Sequence, residues 1–152
     1  MARTPQRALD IYLVAVRAVL AVCAPPHLHV MSERRGKSSI HDVIVNRLDP
    51  FRLTGRPDLE FRAVSSVNVI QESGGWEPLV IRYSYEVASR GVELVAFHWH
   101  PMVVAVPYPH LHVGPAAAVG NREFAGSHLP TGFLELSWVV RFLVEELGAG
   151  RR

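Results

Sequence analysis

From Leu79 to Val87 the chain alternates: Leu79, Ile81, Tyr83, Tyr85 and Val87 fall on one face, Arg82, Ser84 and Glu86 on the other. A two-residue period of this kind marks a β-strand with one buried face. Ser89-Arg90-Gly91 then reads as a hairpin turn, and Val92 to Trp99 as the returning strand. A Val-rich stretch, Phe61 to Ile70, precedes the pair across Ser73-Gly74-Gly75. A short strand from Tyr108 to Val113 follows a Pro-bounded connection. Such strands build an antiparallel sheet, which must cover its apolar face with something else. The length of 152 residues suits one domain. The single cysteine, Cys23, excludes an intramolecular disulfide and a Cys-based zinc cluster, so packing must hold the fold; Cys23 itself reads as a small buried apolar residue.

Two helices are expected as the cover. Between Ala8 and Ala24, Leu9, Tyr12, Leu13, Val16, Val19, Leu20 and Cys23 recur at three- and four-residue intervals, and Pro25-Pro26 ends the run. Asp10 and Arg17 interrupt it, so no membrane span is expected. A secretory signal is the competing reading, since Arg3 and Arg7 precede the apolar run; Arg17 in its middle argues against export, and bulky Val22 against lipidation of Cys23. At the other end, Leu136, Val139, Val140, Leu143 and Leu147 form a second stripe, closed by Gly148, with Glu135 a weak N-cap and Trp138 off the stripe. Ser32 to Ser39 reads as a solvated loop, with Met31 an alternative start that would make residues 1–30 an appendage. Ile40, Val43, Ile44 and Leu48 have helical spacing, although their β-branched content leaves a strand open. Asp49-Pro50 and Gly55-Arg56-Pro57-Asp58 read as turns. The expected architecture is α+β: an antiparallel sheet of about four strands with N- and C-terminal helices on one face. Its parts are an N-terminal helix and appendage (1–30), a single domain (40–148) and a tail (149–152).

The histidines are the chemical signal. Eight occur, and four form i,i+2 pairs, His98-Trp99-His100 and His110-Leu111-His112. On a strand each pair turns both rings to one face, about 6.6–6.8 Å apart along the chain. Lying side by side, with His100 near His110 and His98 near His112, the four would converge, and His128 could reach the same rim. Three readings stay open. The first is acid–base chemistry, in which one imidazole accepts a proton and another donates one. Cleavage of RNA at its 2′-hydroxyl needs that pairing plus a cation for the phosphate, which Arg82 or Arg122 could supply. The second is a site for zinc or another transition metal with His98, His100, His110 and His112 as ligands; the first reading needs no cofactor. Against the metal, neither motif contains a carboxylate to orient the rings. The third is structural, with the rings packing beside Trp99 and Tyr108.

Other signals are weak. His41, standing alone, reads as structural. Pro-His-Leu-His-Val occurs at 26–30 and again at 109–113, but the flanks do not match, so coincidence is the simpler reading; otherwise His27 and His29 add ligands. Gly114 stands where a histidine-triad nucleotide hydrolase needs its third histidine, which excludes that family. Gly74-Gly75 lacks the Lys-Ser/Thr of a phosphate loop. Sixteen Lys+Arg against fourteen Asp+Glu give a net charge of +2, little support for non-specific DNA binding.

The stretch from Arg82-Tyr83-Ser84-Tyr85 through Phe97-His98-Trp99-His100-Pro101 to Pro109-His110-Leu111-His112-Val113-Gly114 resembles the TumE-type toxins of prokaryotic toxin–antitoxin modules. Where those proteins carry two histidines after the proline, this chain has His110 followed by Leu111. His128-Leu129-Pro130-Thr131-Gly132 and the last helix resemble a group of small uncharacterised bacterial proteins with similar histidine strands. The likeness covers about residues 79–148. It implies a cytoplasmic, growth-inhibiting bacterial toxin component, an antitoxin protein as partner, and a target in RNA or translation. Beside it stands a non-enzymatic interaction module, whose N-terminal helix docks on a partner or on a second copy as a homodimer.

Overall fold

The computed structural model describes residues 2–103, 105–118 and 126–150. Helix α1 (Pro5–Leu20) starts at Thr4, whose hydroxyl accepts from the Arg7 amide (3.2 Å), with Pro5 in the first turn, where its missing N–H costs nothing. It buries Ala8, Leu9, Leu13, Val16 and Leu20. Arg17 leaves this stripe and donates from Nη2 to the Val30 carbonyl (2.7 Å). Helix α2 (Leu136–Glu145) buries Val139, Val140 and Leu143, and Gly148 beyond it takes the left-handed conformation (φ +70°). Glu135 makes no side-chain cap on α2, and Trp138 is exposed beneath the Arg141 guanidinium (5.5 Å).

The strands are β1 (Val30–Arg34), β2 (Ile40–Val45), β3 (Phe51–Leu53), β4 (Arg56–Glu72), β5 (Gly75–Ser89), β6 (Val92–Trp99), β7 (His110–Val113) and β8 (His128–Pro130). All pair antiparallel in the order β1-β2-β4-β5-β6-β7-β8, with β3 beside the first half of β4. Both helices pack on one face of this sheet. Phe61, Ala63, Tyr83, Tyr85, Val87 and Phe97 share a core with Leu9, Leu13, Val16 and Leu143, and Phe97 meets Phe142 edge-on at 5.7 Å. The core also takes in Ala149, and Gly150 donates to the Thr54 carbonyl (2.7 Å).

The sheet has eight strands among the described residues, which corrects the expectation of about four. Ile40–Val45 is a strand, not a helix: its β-branched residues pair with β4 rather than wind around an axis. Val30–Arg34, expected to include the start of a solvated loop, is an edge strand; Ser32, Glu33 and Arg34 are the polar residues that suit an edge exposed to water. β3 and β8 span three residues each, too short for any period to show. Arg56-Pro57-Asp58, expected in a turn, already belongs to β4.

Two bulges decide which side chains face which way. Ser66 pairs with Arg82 but Val67 with Val80, so Ile81 is an extra residue in β5. A one-residue insertion reverses the alternation beyond it. Leu79 is therefore exposed (53%) while Val80 packs on the core, correcting the single face read from Leu79 to Val87. Likewise Val87 pairs with Val95 and Ala88 with Glu93, leaving Leu94 as the extra residue in β6.

Candidate functional site

Strands β6, β7 and β8 lie side by side, and His110 pairs with His98, His112 with Ala96 and with His128. The register differs by two residues from the expected one: His98, not His100, stands opposite His110. His100 follows the end of β6, its ring 5.7 Å from that of His98. Since Phe97 and Leu111 point to the core, their neighbours turn to the face without helices. Five imidazoles gather there. The His98 ring lies 5.6 Å from His110 and 6.3 Å from His112, and the His128 ring lies 5.0 Å from both His110 and His112. Neither scattering nor individual burial describes them, although His110 is only 4% exposed.

The environment supplies the carboxylates that the motifs lack. His112 donates its Nδ1–H to Glu93 Oε1 (2.6 Å), and His110 donates its Nδ1–H to the Tyr108 carbonyl (3.0 Å). In the neutral ring each bond keeps the proton on Nδ1 and leaves Nε2 with a lone pair. Alternation back from Phe97 and Val95 would send Glu93 into the core; the Leu94 bulge turns it to the histidines instead. Gly114 allows this. Its amide donates to the Leu94 carbonyl (3.0 Å), and a Cβ there would run into the backbone carbonyl of Glu93. The residue that excluded the histidine-triad family thus has a steric reason of its own.

Glu86 stands beside His98, its Oε1 3.7 Å from His98 Nε2, wider than a hydrogen bond. The nearby His98 imidazole, together with the hydrogen bonds from the Arg62 guanidinium and the Ser84 hydroxyl, holds the Glu86 carboxyl below the usual carboxylate range, with burial pushing the other way. His98 Nε2 is itself buried with no hydrogen-bond partner. Burial lowers the His110 pKa, with the neighbouring rings adding to it and the Tyr108 carbonyl opposing. Burial, then His98 and His110, lower that of His100.

Arg82 is on the same sheet face, yet its guanidinium turns from the rings to Ser66 Oγ (2.6 Å) and Asp42 Oδ1 (3.3 Å). Arg122 lies outside the described residues. His27, His29 and His41 sit before β1 or in β2, at the opposite edge of the sheet, so the first Pro-His-Leu-His-Val copy does not join the cluster. Sequence reasoning missed Glu86 and Glu93. Glu86 was legible, since it shares the parity of Arg82 and Ser84. Glu93 was not, because one leucine out of register conceals it.

As the rings are turned here, no three His, Cys, Asp or Glu side chains among the described residues form a group that could hold a metal ion. Two of the three ring separations nevertheless suit one. Two imidazoles bound tetrahedrally to zinc at about 2.0–2.1 Å place their ring centroids about 5 Å apart, the separation of His128 from each neighbour. His110 and His112 are held by their Nδ1 bonds, so the ring whose side-chain torsions reset where its nitrogens point, with no backbone shift, is His128. A scan against protein-family models finds no match for the chain, and comparisons with curated proteins and with solved structures find none either.

Proposed function

We propose that this protein binds a divalent transition metal of the zinc class through His110, His112 and His128. One arrangement supports this above all: two Nδ1-anchored imidazoles, each with Nε2 free, flank a third ring 5.0 Å from both. Metal-binding histidines are commonly held in this way, with the second nitrogen donating to a carboxylate or a backbone carbonyl. The charge around the rings agrees. Glu60, Glu86 and Glu93 line the adjoining groove with Arg62, whose guanidinium Glu86 already binds. This setting draws a cation and disfavours a phosphate. Three imidazoles leave a fourth position for water or substrate, the arrangement of hydrolytic zinc sites.

Acid–base action on RNA, as the toxin resemblance implies, is the second reading. The anchoring of His110 and His112 favours it too, since each ring is oriented to pass a proton at Nε2. A cation for the phosphate would then have to come from outside the Arg82 pair. The readings separate in one experiment. Untagged protein, stripped with a chelator, is titrated with zinc and also incubated with RNA. Stoichiometric zinc uptake, lost in the His112→Ala/His128→Ala double variant, supports the metal centre. RNA cleavage by the stripped protein, lost in His110→Ala/His112→Ala, supports the second reading instead.

A further inference from the structure

On the opposite face of the sheet, α1, β5 and the chain entering α2 form an open cleft of about 360 Å³. That is at the small end of the range for ligand sites, about 300–1,000 Å³. Its walls are apolar: Val16 and Val19 from α1, Val80 from beyond the Ile81 bulge, and Phe133 and Leu136 from the approach to α2. The bulge creates part of it by turning Val80 inward and Leu79 out to the rim. The Leu134 amide donates to Tyr83 Oη (3.2 Å), and the Phe133 ring stands edge-on to Tyr83 (5.8 Å) and Trp99 (5.5 Å), so this wall is pinned.

Polar groups are few and specific. Tyr12 and Tyr85 line the cleft, and the Ser65 hydroxyl bears on both phenols. Burial raises both tyrosine pKa values, and the Glu135 carboxylate pushes the same way, which keeps both hydroxyls protonated. Glu135 stands at the mouth with one neighbour for its charge, the Ser137 hydroxyl (3.2 Å); among the described residues no Lys, Arg or His pairs with it. An apolar cleft with neutral hydroxyls inside and one uncompensated carboxylate at its rim selects for charge of one sign.

We infer that this cleft is a binding site for a small primary amine with a compact apolar body, its ammonium at Glu135 and its body against Val16, Val80 and Leu136. The site is independent of the imidazole face, and removal of metal should leave it unchanged. The test is an NMR titration of the full chain with three matched probes: phenethylamine, phenylpropionate and phenethyl alcohol. The amine should give saturable shifts at Val16, Val80 and Leu136 and bind more tightly than the alcohol, with the carboxylate weakest. Glu135→Gln should weaken the amine about two- to fivefold and leave the alcohol unchanged, the range for an ion pair at an exposed carboxylate. Ala15→Trp, at an exposed position on the rim, should block all three probes while the dispersed spectrum persists. The inference fails if the amine gives no saturable shifts at these residues, if the carboxylate binds as well as the amine, or if Glu135→Gln leaves the amine's affinity unaltered.

Discussion

Replacing Gly114 by alanine tests whether the approach of β7 to the Leu94 bulge is as close as it looks. Gly114 has φ −81° and ψ 167°, a conformation any residue adopts, so alanine suffers no backbone strain there. Considered alone, the substitution would stabilise by about 0.4–1 kcal/mol, by restricting the unfolded chain. The new Cβ, however, meets the carbonyl and Cβ of Glu93, and backbone cannot swing aside as a flexible side chain would. Overpacking of this kind costs about 1–3 kcal/mol. The clash wins, and the net loss is about 1–2 kcal/mol. For a chain of this length each kcal/mol moves Tm by about 2–4 °C, so Gly114→Ala should melt about 2–8 °C lower by calorimetry. Gly132 is the matched control: it too lacks a positive φ, and an added Cβ would meet nothing within 4 Å. Gly132→Ala should melt at the same temperature or slightly higher. Displacing Glu93 should also weaken zinc binding in Gly114→Ala and not in Gly132→Ala. Equal or raised stability for Gly114→Ala would refute the steric reasoning.

Three further outcomes follow from the same contacts. Glu93→Gln keeps the shape but not the charge that orients His112; zinc affinity by calorimetric titration should fall about 10–100-fold, and an unchanged affinity would remove Glu93 from the centre. His100 and His110 have lowered pKa values, so the unfolded chain binds more protons than the folded one as pH falls through the ordinary imidazole value. Their contribution is whole above about pH 6.5 and is lost as pH drops toward the lowered folded values, so urea midpoints of metal-free protein should fall from pH 7 to pH 5, and less in His110→Gln. Tyr83→Phe deprives the Leu134 amide of its acceptor and should cost about 1 kcal/mol in urea unfolding.

Much of this fold was legible wherever a period had room to repeat. The stripe of Leu9, Leu13, Val16 and Leu20, the stripe of Val139, Val140 and Leu143, and the hairpin from β5 to β6 lie where the pattern of residues placed them. What escaped was short or shifted. Three-residue β3 and β8 contain no full alternation, and Val43 and Ile44 satisfy a helical spacing and a strand equally well. Ile81 and Leu94 are ordinary apolar residues in sequence; only the register of the partner strand makes each a bulge. The shared face of His110 and His112 depends only on local parity, and so it was readable; His100 lies beyond the end of β6, where parity no longer places it. Of the rings' carboxylate partners, Glu86 shares the readable parity of Arg82 and Ser84, whereas Glu93 depends on the Leu94 bulge, which no local pattern records.

The central claim is that the rings of His110, His112 and His128 act together on one metal ion. Elemental analysis of untagged, full-length protein, equilibrated with zinc and dialysed free of excess, measures this directly. The account predicts one zinc per chain, reduced to background in the His112→Ala/His128→Ala variant with its fold retained. No bound zinc in the parent protein, or the same amount in the double variant, would contradict it.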